Sequence, residues 1–238
     1  DKLIIRMLDI GQGDAFLLEK DGKFAMIDTG DVEHREALVK YLHEYGVKEL
    51  SNVIITHPHA DHMGGMKAVF DNIKVDNIYD DGVPTNTNTY KTYLKNIKTK
   101  NIPFHIPKAG ETIALFDGVD FHVAGPVSEI TDQKGRPDLN NNSIVGKLTY
   151  GDFSMLFTGD AEKEEESAIL TGTTPSFLKA VAPKEAFISC GQGNDYGHPH
   201  KETMTKLENA GIHIFRTDRD GTVTLTTDGS TYQIAKEH

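Results

Sequence analysis

Apolar positions along the chain come in short runs separated by Gly and polar clusters, and their period switches between two and the helical 3.6. The stretches KLIIRMLDIG, AFLLEK and KFAMIDTG predict three strands joined by Gly-containing turns. EHREALVKYLHEYG spaces its apolar residues as a helix does and closes on Gly46, which predicts a helix with a glycine cap. LSNVIITHPHADH begins as a short buried strand, and YKTYLKNIKTKN predicts a second helix after the polar tip DDGVPTNTNT. ETIALFDGVDFHVAG, NSIVGKLTYGDFSMLFTGD and IHIFRTDRDGTVTLTTDGSTYQI each predict strand, tight turn, strand. Strand-then-helix units recur in both halves without a fixed repeat or a low-complexity linker, so the pattern suits one large α/β domain over residues 1–238 or two small ones.

Composition narrows the partners more than the fold. With 238 residues, 37% hydrophobic and 26% charged, the chain resembles ordinary globular proteins and can bury a sizeable core. No apolar run approaches the roughly 20 residues of a membrane helix, so no integral membrane segment is expected. The N-terminus does not read as a signal peptide, although a mature secreted form would look the same. A single cysteine, Cys190, excludes an internal disulfide. The formal net charge of −11 argues against a generic polyanion binder, unless bound cations supply positive charge locally.

The densest chemistry lies in THPHADHMGG, residues 56–65, where His57, His59, Asp61 and His62 fall within six positions. Pro58 and the Gly64–Gly65 pair predict a loop leaving a strand and not a helix face. In extended backbone His57 and His59 point to one side, while Asp61 and His62 lie past the bend and suit a second ion. Imidazole and carboxylate are zinc ligands, and two ions about 3.5–4 Å apart can share one activated water. His34, His43, His105, His122, His213 and His238 have no such company and read as surface or core residues.

THPHADH, preceded by MIDTG, resembles the H-x-H-x-D-H signature of the metallo-β-lactamase superfamily. Within it, MLDIGQGDAFLLE, NNNSIVGKLTYGDFSMLFTGDAE and ISCGQGNDYGHPH are similar to the hydrolase domain of ComEC-type competence proteins and to stand-alone relatives. The phosphorylcholine esterases sharing that fold are a more distant likeness. The resemblance runs over essentially the whole chain. It implies a four-layer αββα sandwich with a two-metal site at one edge, and an extracellular or cell-surface location. The oligomeric state is not readable.

Carried over position by position, the resemblance implies His57, His59, Asp61 and His62 as ligands and Asp160 as the carboxylate bridging both ions. Asp28 corresponds to a buried carboxylate that orients ligands. The superfamily's third-motif histidine is replaced by Asn142–Ser143, whose neutral oxygens beside the site leave one ion with fewer nitrogen ligands. Two divalent ions are implied, Zn²⁺ or Mn²⁺, with Mg²⁺ admitted by the oxygen-rich set. Gly11 and Gly13 of DIGQGD read as a tight turn bringing Asp14 beside the metal loop, and GQGND lacks the spacing of a dinucleotide fingerprint. His198, on a Gly/Pro-bounded loop, is the candidate proton donor to a leaving group, with Asp61 the other catalytic candidate. The expected activity is phosphodiester hydrolysis by a metal-bridging hydroxide, with DNA, and single-stranded DNA above all, as substrate. Two alternatives stand. One is an esterase for phosphorylcholine or another small phosphodiester, with an aromatic cage drawn from Tyr79, Tyr90, Tyr93 or Tyr196; the other is a catalytically impaired binding module.

After Asp160 the helical AEKEEESAIL runs directly into TGTTPSFLKAV, where Thr174 and Pro175 predict another helix start. The alternating pattern calls for a strand between them. In the resembling family that strand ends in His-His-Gly-Ser, whose first histidine binds the second metal, and no such motif occurs in this sequence. The expectation is a chain interrupted near Leu170–Thr171, or a deletion that impairs the site.

Overall fold

β1 (Leu3–Met7), β2 (Phe16–Lys20) and β3 (Lys23–Ile27) pair in succession as antiparallel neighbours, as their apolar runs predict. The computed structural model describes residues 1–162, 164, 165, 168, 179 and 181–238. The Leu170–Thr171 junction and the helix start at Thr174–Pro175 lie outside the described residues.

Past β3 the chain forms α1 (Arg35–Glu44), the short β4 (Glu49–Leu50) and β5 (Asn52–Ile55). Next come α2 (Ala60–Met63), α3 (Met66–Asn72), β6 (Lys74–Val75), β7 (Ile78–Asp80), α4 (Asn88–Thr99) and β8 (Phe104–His105). Gly46 ends α1 with φ 73°, and Thr87 caps α4 by accepting from Tyr90 N. With β15 (Val223–Thr227) and β16 (Tyr232–Lys236) from the end of the chain, an eight-stranded mixed sheet runs β16-β15-β1-β2-β3-β5-β7-β8, with β3, β5, β7 and β8 parallel. A second, antiparallel sheet is ordered β12-β11-β10-β9, from β9 (Thr112–Phe116), β10 (Val119–Gly125), β11 (Val145–Tyr150) and β12 (Phe153–Phe157). β13 (Glu185–Ile188) and β14 (His213–Arg216) pair in parallel with α5 (Lys201–Asn209) between them in sequence. The chain closes through α6 (Thr217–Asp220), β15 (Val223–Thr227) and β16 (Tyr232–Lys236).

Strand alternation assigns the two cores. Leu17, Met26 and Val53 face the helical layer with Leu38, Val69 and Tyr93. Leu18, Ala25, Ile27 and Ile54 face the second sheet with Phe121, Leu148 and Phe157. Both faces of β2, β3 and β5 are therefore buried, which is why these strands read as continuous apolar runs. Leu207 of α5 and Ile212 pack with Leu156, Ala186 and Ile214, which supplies the outer helix of the second half. The layers are helix, sheet, sheet, helix.

The metal-motif loop differs from the sequence expectation. Residues 56–59 leave β5 as a loop, but Asp61 and His62 sit in the helical turn α2, and a second helix, α3, follows at once. Gly64 and Gly65 are helical, with φ −60° and −71°. A Cβ on Gly64 would collide with Ala60 O, and one on Gly65 with Thr29 O. These glycines join α2 to α3 and permit close packing.

The end of β7 stores an acid. Asp80 accepts from Tyr93 Oη at 3.0 Å and from Gly82 N at 2.8 Å. Asp81 accepts from Val83 N at 3.1 Å through Oδ1, while its buried Oδ2 has no partner among the described residues. Burial, with Asp80 and Asp28 adding repulsion, pushes the Asp81 carboxyl from 3.8 up to about 8. The folded chain therefore keeps a proton that the unfolded chain has lost between those two values, so this group lowers stability as pH rises across that window. Asp81→Asn is expected to unfold at higher urea than wild type at pH 8, with the gap shrinking toward pH 5. Parallel pH slopes for the two proteins would refute this.

Candidate metal centre

The site gathers where several strands end on one edge of the sandwich: Asp28 after β3, the His57–His62 loop after β5, and Asp160 after β12. Carboxyl ends of neighbouring parallel strands are where α/β sheets open to ligands. Asp14, on the β1–β2 loop, joins from a third side, and its backbone oxygen accepts from Gly30 N at 2.7 Å.

Asp28 organises the floor. It is buried, holds φ 55°, and accepts from Thr56 N at 2.7 Å and Thr56 Oγ1 at 2.6 Å. The Thr56 hydroxyl proton is thereby committed to Asp28, so its oxygen accepts from His57 Nδ1 at 3.1 Å. His62 Nδ1 donates to Asp28 Oδ2 at 2.7 Å. Both imidazoles therefore turn Nε2 toward the same point. His57 Nε2 lies 3.6 Å from Asp160 Oδ2, and His62 Nε2 lies 3.3 Å from Asp160 Oδ1. His59 Nδ1 is 3.0 Å from His57 Nε2, and Asp61 Oδ2 is 3.8 Å from His62 Nε2.

Charge follows from this crowding. Burial first, then the neighbouring His62, pushes His57 well below its usual pKa, so it is a neutral imidazole with an available lone pair. Burial also opposes charge on His62, but Asp28 and Asp160 outweigh it and hold that proton well above the usual range. Asp160 is lowered: burial alone would raise it, and His62, His57 and His59 reverse the sign. Asp14 is pushed up to about 7 by burial, against the pull of His62.

Ligand atoms of His57, His62 and Asp160 all lie within 4.8 Å of one another, as do those of Asp14, Asp28 and His62. The His57 lone pair, the Asp160 carboxylate and His62 Nε2 once a cation displaces its proton, aimed at one point and held from behind by other bonds, are a cation's donor set. The residues present fit a divalent metal. Beside Asp160 opens a cleft of about 940 Å³, walled by β12 and β13 and by His198, Pro199 and His200.

The sequence model of a family described as "Metallo-beta-lactamase superfamily" matches residues 8–215, through every element of this site. The chain belongs to the metallo-β-lactamase superfamily. Members bind divalent metals, and the donor set here lies within the matched residues. ComE operon protein 3 of Bacillus subtilis (strain 168) is 28% identical over 258 residues, covering 92% of this chain and 32% of the relative. Competence protein ComA of Neisseria gonorrhoeae is 25% identical over 238 residues, covering 91% of this chain and 31% of the relative. The chain thus spans about a third of the length of these curated relatives. Among solved structures, the metallo-β-lactamase fold protein YhfI from Bacillus subtilis matches with TM-score 0.53 at 12% identity, covering 92% of this chain and 86% of that one. Igni18, a metallo hydrolase from Ignicoccus hospitalis, matches with TM-score 0.52 at 18% identity, covering 93% and 98%. These two likenesses concern the fold alone.

Against the superfamily expectation, two positions behave differently. Asn142 spends its whole amide on the 130–138 loop, donating to Ile130 O at 2.7 Å and Asp138 O at 2.6 Å and accepting from Ile130 N at 3.0 Å. It offers no oxygen to a metal, which corrects the expectation that its amide stands beside the site. Ser143 Oγ accepts from Asp160 N at 3.3 Å and so steadies that aspartate's backbone. Three contributors escape a motif search. Thr56 transmits Asp28 to His57, and Asn141 Oδ1 accepts from Glu162 N and Glu165 N at 3.1 and 3.2 Å, shaping the turn after Asp160. Gln12 Oε1 accepts from Gly191 N at 3.0 Å, so the two GQG segments of the sequence meet across the site. That repeated tripeptide was the one available sequence signal.

Proposed function

We propose that this chain is a metal-dependent phosphodiesterase that cleaves DNA, preferentially single-stranded, with His57, His59, Asp61, His62 and Asp160 holding two ions of Zn²⁺, Mn²⁺ or Mg²⁺. The observation that carries the reading is the convergence of His57, His62 and Asp160 on one point beside an open cleft. Support for the substrate comes from a relative named a competence protein, aligned over nine-tenths of this chain. Divalent ions bound there would supply Lewis-acid activation of water and of a phosphoryl oxygen, and would offset the net charge of −11 where a polyanion approaches. Asp28 keeps His62 oriented through Nδ1, and Thr56 does the same for His57. His198 donates a proton to the departing oxygen: it lines the cleft with Asp160, and its backbone is clamped by Asn194. We place the activity outside the cell or at its surface, where incoming DNA is met.

A choline esterase needs several aromatic walls around a quaternary ammonium. Tyr90 and Tyr93 are buried in the helical core instead, and Tyr79 stacks on His105 at 4.8 Å. The test offers metal-reloaded protein linear single-stranded DNA, bis-p-nitrophenyl phosphate and a phosphorylcholine ester. Expected are chelator-sensitive cleavage of the first two, and for His198→Ala a loss of roughly 10²–10⁴ on DNA alone, since p-nitrophenolate leaves without a proton. Hydrolysis of only the choline ester would replace this reading by the esterase, and no turnover with any of the three metals would replace it by a binding module.

A further inference from the structure

The loop before α5 carries an aromatic ladder that the proposed chemistry leaves partly unused. Tyr196 is 67% exposed, more than any other large apolar side chain among the described residues. Its ring lies 5.8 Å from the His198 imidazole at an interplanar angle of 19°, and His198 meets His200 edge-on at 4.6 Å. Tyr196 thus stands stacked beside His198, which lines the cleft with Asp160, and leaves most of its surface to solvent.

The ladder is held in place. Asn194 accepts from His198 N at 2.9 Å, donates to His198 O at 2.7 Å and donates to Gly191 O at 3.0 Å. Gly191 N in turn donates to Gln12, on the loop that carries Asp14. The aromatic step is thereby tied to the candidate metal centre.

We propose that Tyr196 is a stacking platform that seats a nucleobase of single-stranded nucleic acid beside the cleft, an inference that rests on the nuclease reading above. A chain of net charge −11 draws little grip on a polyanion from its general field, so a substrate strand needs an attachment that charge does not supply. Base–aromatic stacking is such an attachment, and it tolerates any base because every base has a π face. Paired bases hide that face inside the duplex, so the platform selects unpaired strands. The exposed ring suits a planar partner and gives a quaternary ammonium no cage.

The test is binding of a fluorescent thymidine oligonucleotide with phosphorothioate linkages, which resist cleavage, to Mn²⁺-loaded protein. Tyr196→Ala is expected to weaken binding roughly 5- to 100-fold, the loss of one base–aromatic stack. Tyr196→Phe should bind as wild type does. On a strand of the same length without bases, wild type and Tyr196→Ala should bind alike, and both should hydrolyse bis-p-nitrophenyl phosphate at the same rate. Unchanged affinity in Tyr196→Ala, an equal loss on the abasic strand, or no binding by wild type overturns the inference. Tyr196-dependent binding without cleavage of an unmodified strand sustains the platform and sinks the nuclease. Cleavage and binding indifferent to Tyr196 do the reverse.

Discussion

Asp160→Ala is expected to abolish phosphodiester hydrolysis, by at least about 10³-fold, while leaving the fold in place. The carboxylate's neighbours are His57 Nε2 at 3.6 Å and His62 Nε2 at 3.3 Å, both of them groups aimed at the metal position. Its backbone is secured separately, by the Ser143 hydroxyl and by the Asn141-capped turn. Removing the side chain therefore takes away the carboxylate that faces both imidazoles and leaves the strand end anchored. His62 keeps Asp28, so no buried imidazolium is stranded. The measurement is turnover on single-stranded DNA with Mn²⁺ supplied, together with metal content per chain and a melting curve. Asp61→Ala should fall in the same direction, since Asp61 stands 3.8 Å from His62 Nε2. Near-wild-type turnover in Asp160→Ala would rule out the two-metal reading.

Asp28→Ala is expected to damage both stability and activity. One buried carboxylate satisfies Thr56 N, Thr56 Oγ1 and His62 Nδ1, at 2.6–2.7 Å each. Its removal leaves three buried donors without an acceptor and His62 with Asp160 as its remaining counter-ion, at a cost of about 3–5 kcal/mol. The pH dependence has a definite sign. His62 is raised above its unfolded value, so its ion pair contributes fully below pH 6.5 and fades as pH climbs through the folded pKa. In chelated protein the urea midpoints of wild type and Asp28→Ala should therefore stand furthest apart near pH 6 and draw together toward pH 9. A gap that stays constant with pH would show that Asp28 acts through its bonds to Thr56 alone.

The pattern of apolar residues was enough to place β1, β2, β3, β5 and the helices α1 and α4, because alternation and helical spacing are set by neighbours in sequence. The run MIDTG reads as a strand ending in an acid, and THPHADH as a cluster of metal donors, from residue type and spacing alone. Asp160 was legible as the end of a strand. That it meets His57 and His62 depends on β12 and β5 belonging to different sheets packed face to face, a fact no local period encodes. Gly64–Gly65 misled because glycine reads as a breaker, whereas here it admits close contact with Ala60 O and Thr29 O. Asn142 misled for a related reason: an amide beside a metal motif looks like a donor until the 130–138 loop is seen to consume it. The pairing of Gln12 with Gly191, the hydroxyl relay through Thr56 and the exposed ring of Tyr196 are likewise products of the tertiary structure. Sequence determined which chemical groups were available and on which elements they ride, and only the packing of distant elements decided which lone pairs, protons and ring faces were left free.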